Sequence, residues 1–176
     1  MRTLALVAIC VLTSSSGCRG WQGDRYLRHR APASRARKEA TYAFGLPGGG
    51  WQPIADRGDL QVAWLEPDLG AVIELHAQCA DQGDSSLEQY TDHLRMDWTK
   101  WTVVSQVELK LERRAALRTV VDAELDGVPR RNDFVVVKKD GCLFDLRYSA
   151  PPDGYAKGHA AFDRVVGGFR FPLVGA

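Results

Sequence analysis

The chain reads as one α+β domain, an antiparallel sheet of about six strands sandwiched by helices, set behind an N-terminal export segment. Three observations predict this. Between residues 60 and 149, several segments alternate in polarity and are joined by short turn-rich links, the pattern of strands that pair with their sequence neighbours. Two other stretches repeat apolar residues every three or four positions, as amphipathic helices do. Finally, Leu4–Leu12 is an unbroken apolar run of nine residues between Arg2 and a small-residue stretch that ends at Cys18.

That first run sets the compartment. As a helix it would rise only about 14 Å, against roughly 30 Å of bilayer hydrocarbon, so it is too short to remain as a span and is excluded from the fold. Ser15-Ser16-Gly17 before Cys18 resembles a bacterial lipobox, with Ser15 standing where Leu is usual. The cysteine thiol there would carry a diacylglyceryl group, and two or more acyl chains make anchoring stable. The alternative is ordinary cleavage at the same bond, because Ser15 and Gly17 also satisfy the small-x-small rule. Cysteine parity favours lipidation: Cys10 leaves with the signal, and a lipidated Cys18 leaves Cys79 and Cys142 as an even pair.

The expected organisation is a signal peptide over residues 1–17, a lipidated basic tether over 18–40 and a single domain over 41–176. Removing the first 17 residues leaves 159, room for one domain with a sizeable core. The near-neutral total conceals a division. Residues 19–38 hold seven basic side chains and one acid, whereas from Thr41 onward 15 Lys and Arg face 20 Asp and Glu. The leader has scattered Pro, Gly and Ser and weak apolar periodicity, as a flexible tether does. An exported, anchored protein would rarely meet nucleic acid, so headgroup attraction or simple solvation explains the basic leader better.

Within the domain, Thr41-Tyr42-Ala43-Phe44 opens the fold and Leu46–Trp51 is a turn. Gly48-Gly49-Gly50 is not a phosphate loop, because Trp51-Gln52-Pro53 follows in place of a lysine and a helix start. Leu60–Leu65 and Ala71–Cys79 form a hairpin around Glu66-Pro67-Asp68-Leu69-Gly70. The second strand places Ile73, Leu75, Ala77 and Cys79 on one face and Glu74, His76 and Gln78 on the other, a polar face expected to meet solvent. Asp84-Ser85-Ser86 caps a helix, with Ser85 and Glu88 in capping-box spacing. Leu87, Tyr90, Leu94, Trp98 and Trp101 share one face of it, and His93 lies off that stripe. Four extended runs follow: Val103–Glu112, Leu117–Leu125, Arg130–Lys138 and Cys142–Ser149, with Asp126-Gly127 and Lys139-Asp140-Gly141 as turns. Tyr155, His159, Phe162, Val166 and Phe169 then mark a second amphipathic helix closed by Gly167-Gly168, with His159 expected to pack with one local hydrogen bond.

Cys79 and Cys142 both fall on the apolar face of their strands, and export favours a disulfide between them; two buried thiols are the alternative. A bridge closing that loop is worth about 4 kcal/mol in the chain-entropy model. No metal site is expected: Glu74 and His76 lack third and fourth ligands at recognisable spacing. No cofactor motif is present either.

The initial Phe44, Leu46, Pro47 and Trp51, the Ser86-Leu87-Glu88 helix start, Asp126-Gly127-Val128-Pro129 within the meander, and the closing Phe162, Val165, Phe169 and Phe171 resemble the PsbP-like superfamily over about residues 41–172. The resemblance implies an antiparallel sheet between helices and a non-catalytic accessory role. The leading function is therefore a membrane-anchored accessory or interaction module of a cell-envelope complex, with a protein partner and no turnover. By analogy, because Arg19 follows the cysteine, it would sit on the outer membrane facing the periplasm. The alternative is a small-ligand or lipid binder whose pocket is lined by Trp64, Trp98, Trp101 and Phe162, residues equally explained as core. A hydrolase would need Ser105 beside His76 or His93, and no nucleophile-elbow, zinc or paired-carboxylate motif supports one.

Overall fold

The structure is a computed structural model that describes residues 21–22, 26–30, 41–54, 62–79 and 85–171. The signal segment, Cys18 and most of the expected tether lie outside the described residues. In chain order the elements are β1 (Trp21–Gln22), β2 (Tyr26–Arg30), β3 (Thr41–Gly45), β4 (Gln52–Ile54), β5 (Val62–Glu66), β6 (Ala71–Cys79), α1 (Leu87–His93), β7 (Thr99–Leu111), β8 (Arg114–Leu125), β9 (Val128–Lys139), β10 (Cys142–Ala150) and α2 (Tyr155–Gly167).

Strands β7 to β10 form the expected meander because their links are two-residue turns with positive φ at both positions. Asp126-Gly127 and Asp140-Gly141 supply two of them, and Glu112-Arg113 the third, at φ 49° and 64°. The seven strands of the main sheet run β4-β5-β6-β10-β9-β8-β7, all antiparallel. β10 thus returns to lie beside β6, and Cys142 faces Cys79 directly across that pair. The two are joined as a disulfide with Cα atoms 4.0 Å apart. The extra strand beyond the six expected is β4, a three-residue edge that includes Pro53; proline is tolerated there because one side of an edge strand needs no donor.

Each face of the sheet carries one helix. On the first, Ile73, Leu75 and Ala77 meet Phe144, Leu146, Tyr148, Val135 and Val137, and α2 lays Ala161, Phe162 and Val165 over them. β3 closes the same core: Tyr42 lies 5.2 Å from Phe144 and 5.9 Å from Phe169, centroid to centroid. The chain leaves α2 hard against β3, where a Cβ on Gly45 or on Gly168 would strike the other segment's backbone. On the second face Phe134, Val136, Leu117 and Val121 are buried. There α1 packs Tyr90, and Lys138 donates to the Ser85 carbonyl at 2.9 Å while its ammonium lies over the Tyr90 ring.

Four expectations are revised. α1 stops at His93 rather than running to Trp101: its last turns close i to i+3, and the Thr- and Val-rich run from Thr99 to Val104 enters β7, because β-branched residues favour a strand. Its N-cap is Ser86, not Ser85, with Gln89 returning the bond to the Ser86 N–H at 2.9 Å. Part of the stretch expected to be tether, Tyr26–Arg30, pairs with β3 as β2. The polar face of β6 is half-buried rather than solvated, with Glu74 across from Arg147 and His76 across from Asp145.

Candidate functional site

A carboxylate in the middle of a buried strand organises the densest group of chemistry-bearing side chains. β9 reads Asn132-Asp133-Phe134-Val135-Val136-Val137, and alternation turns Asp133 toward the α2 face, where it is 0 % exposed. A buried charge is retained only when paired. Arg118, on β8 and diagonal to it in register, supplies the pair: its Nε lies 3.0 Å from both Asp133 oxygens and its Nη2 2.7 Å from Oδ2. From α2, successive four-residue steps bring Tyr155, His159 and Asp163 over the same spot. His159 Nε2 is 2.9 Å from Asp133 Oδ2, its Nδ1 is 3.3 Å from Asp163 Oδ2, and Arg118 Nη2 donates to Asp163 Oδ1 at 2.7 Å. The Tyr155 hydroxyl donates to Asp133 at 3.4 Å.

The electrostatics follow from burial and these partners. Burial works against the Arg118 charge, but the hydrogen bonds and charges of Asp133 and Asp163 outweigh it and hold the guanidinium above its ordinary value. Burial, then the Asp133 charge, pushes the Tyr155 phenol well above its usual range. Tyr148, pushed up to about 12 chiefly by burial, donates to the Tyr155 carbonyl at 2.8 Å, in the space where a Cβ on Gly158 would stand.

Near the turn between β8 and β9 lies a shallow cavity of about 240 Å³ lined by residues that include Asp122, Glu124, Arg130 and Arg131. Two of its charges are paired, with Arg131 gripping Asp122 through two 2.7 Å bonds and Lys100 holding Glu124 at 2.8 Å, while Arg130 donates to the neutral Ser149 hydroxyl and Gly70 carbonyl. It is Arg118 and Asp133 that tie the sheet to α2, through Asp163 and His159. The polar partners of His159 among the described residues include the Asp133 and Asp163 carboxylates and the Arg118 guanidinium.

The residues singled out from sequence fall in different places. Trp64 and Phe162 are 3 % and 0 % exposed in the α2-side core. Trp101 stacks on Phe134 on the opposite face at 5.6 Å, and Trp98 sits half-buried in the link ahead of β7. The four therefore do not line one space. Ser105, on the edge strand β7, is separated from His76, which lies on β6 and on the other face of the sheet. No group of three or more His, Cys, Asp or Glu able to hold a metal occurs among the described residues. Sequence reasoning missed Arg118, Asp133 and Asp163. The available signal was an aspartate inside a valine-rich strand, which requires a cation from some other element.

Comparison with known proteins then places the architecture. No protein-family model matches the chain, and neither does any curated protein. Solved structures do. The solution structure of the cyanobacterial PsbP of Synechocystis superposes with a TM-score of 0.55 at 12 % identity, covering 90 % of this chain and 99 % of that one. The fold is PsbP-like. LpqN of Mycobacterium tuberculosis, described as involved in cell envelope biogenesis, superposes at 0.54 with 13 % identity, covering 84 % of this chain and 92 % of that one. A Bacteroides thetaiotaomicron structure matches at 0.54 and 12 % identity over 77 % of this chain but only 46 % of its own length. At these identities the likeness concerns the PsbP-like backbone and carries no residue's role across.

Proposed function

We propose that this chain is an exported lipoprotein, held to a membrane by lipid on Cys18, whose PsbP-like domain serves as a non-catalytic accessory or interaction module of the cell envelope. The observation that carries the reading is the cysteine arithmetic. The Cys79–Cys142 disulfide belongs in an oxidising compartment. It uses both cysteines of the folded domain, leaving Cys18, at the end of the small-residue run after Leu4–Leu12, as the acylation acceptor. LpqN, which shares the fold and is described as involved in envelope biogenesis, supports an envelope role. The outer-membrane position follows only from Arg19 after the cysteine.

The test is metabolic labelling of the full chain with an alkyne fatty acid in a bacterial host, followed by fractionation and mild-detergent purification. Label on the parent, loss of label and release from membranes in Cys18→Ala, and a stoichiometric protein companion are expected. A parent that takes no label, or a Cys18→Ala chain that stays with membranes, refutes the anchor. A purified chain carrying a small molecule and no protein refutes the accessory role.

A further inference from the structure

β7 ends the seven-stranded order, so its outer edge pairs with no described strand. Exposed edges invite further pairing, and proteins commonly blunt them with bulges and lysines. Here the bulges are confined to one half. The register against β8 shifts between Thr99 and Thr102 and again between Val103 and Ser105, whereas Ser105–Leu111 runs unbroken against Val120–Arg114. The regular half alternates cleanly: Val107, Leu109 and Leu111 face the α2 side, and Gln106, Glu108 and Lys110 face the other. Val107 is 56 % exposed, and among the described residues neither Glu108 nor Lys110 has an ionic partner. Across β8 they meet only Leu117 and Ala115.

We infer that this edge pairs with the same edge of a second copy of the chain, antiparallel about a two-fold axis through Leu109. The register follows from charge. Antiparallel self-pairing sets residues equidistant from the axis opposite one another, and the perpendicular two-fold keeps each on its own face. With the axis at Leu109, Glu108 meets the second copy's Lys110 twice over, Val107 meets Leu111 and Leu109 meets itself. Moving the axis to Glu108 sets two glutamates face to face, and moving it to Ser105 sets Lys100 against Lys110 and runs into the bulge; like charges directly opposite destabilise a sheet. Val-Glu-Leu-Lys-Leu is thus its own complement, and the dimer is one continuous fourteen-stranded sheet formed from two seven-stranded ones. The inference is independent of the lipid, although tethering to one membrane would raise the effective concentration of the two edges.

The experiment introduces Leu109→Cys or Val103→Cys into the full chain, in membranes or mild detergent, under gentle oxidation. Directly opposed Cα atoms in an antiparallel pair lie about 5 Å apart, within disulfide reach, whereas the Val103 positions would lie about 40 Å apart. Covalent dimer from Leu109→Cys and none from Val103→Cys is expected. In unoxidised protein, Glu108→Lys should weaken the dimer about tenfold through its two repulsive contacts, and adding Lys110→Glu should restore it. Because both charged side chains are exposed, neither change disturbs the fold. A Leu109→Cys chain that stays monomeric, cross-links equally from both positions, a charge swap that fails to rescue, or cross-linking to a different protein overturns the proposal.

Discussion

Asp133 is the side chain whose removal most sharply tests how α2 is held to the sheet. Asp133→Asn keeps the shape and removes the charge, leaving Arg118 with Asp163 as its remaining ionic partner. Asp163 is 49 % exposed against 0 % for Asp133, so it cannot compensate fully across a wetter contact. Breaking a buried ion pair costs about 3–5 kcal/mol. Arg118 keeps 22 % of its side-chain surface exposed, which places the cost near the lower end, at about 3 kcal/mol. For a domain of this size that lowers Tm by about 10 °C. Thermal unfolding followed by circular dichroism at neutral pH reads it directly. The cycle uses Asp133→Leu and Arg118→Met as the single changes and the doubly apolar Arg118→Met/Asp133→Leu. Replacing both partners removes the stranded charge, so the double change should cost less than the two single costs combined by about 2 kcal/mol. Costs that add to within about 0.5 kcal/mol would refute the reasoning, because contacts that do not interact are additive.

Two further outcomes are expected. Cys79→Ala/Cys142→Ala should lower stability by about 4 kcal/mol through the freed loop, read as a shifted denaturant midpoint. Reductant without denaturant should release no titratable thiol, since both residues are buried; a midpoint within error of the parent would sink the structural role of the bridge. Glu74 is held above its ordinary carboxylate range, first by burial and then by Asp145, with Arg147 opposing. The folded state therefore binds its proton more tightly than the unfolded chain, and the group's stability contribution is complete below the unfolded value and lost as pH rises through the folded one. Glu74→Gln should thus leave the urea midpoint unchanged at about pH 4 and raise it near neutrality, where the carboxyl of the unfolded chain is charged. A midpoint difference that grows toward acid would reverse the assignment.

Much of the architecture is legible in the chain because its signals are local. Alternation within β6, β8 and β10 specifies which face each side chain takes, and Asp-Gly at 126–127 and 140–141 specifies tight reversals. Cys79 and Cys142 were placed on matching faces by the same alternation. Where local signals compete they mislead: Trp98 and Trp101 continue the spacing of Leu87, Tyr90 and Leu94, yet β-branched neighbours and pairing with β8 draw Trp101 into a strand.

By itself, then, the sequence determined the alternating strands, the tight turns, the second helix and the apolar run ahead of Cys18, since each depends on residues close along the chain. Only the tertiary structure decided that β10 lies against β6 with its two cysteines opposed, that Arg118 and Asp133 meet beneath His159 and Asp163, and that β7 ends the sheet. Those outcomes join residues from distant strands and a helix. No spacing within one segment encodes them, because a buried charge requires a partner without specifying which distant element will provide it.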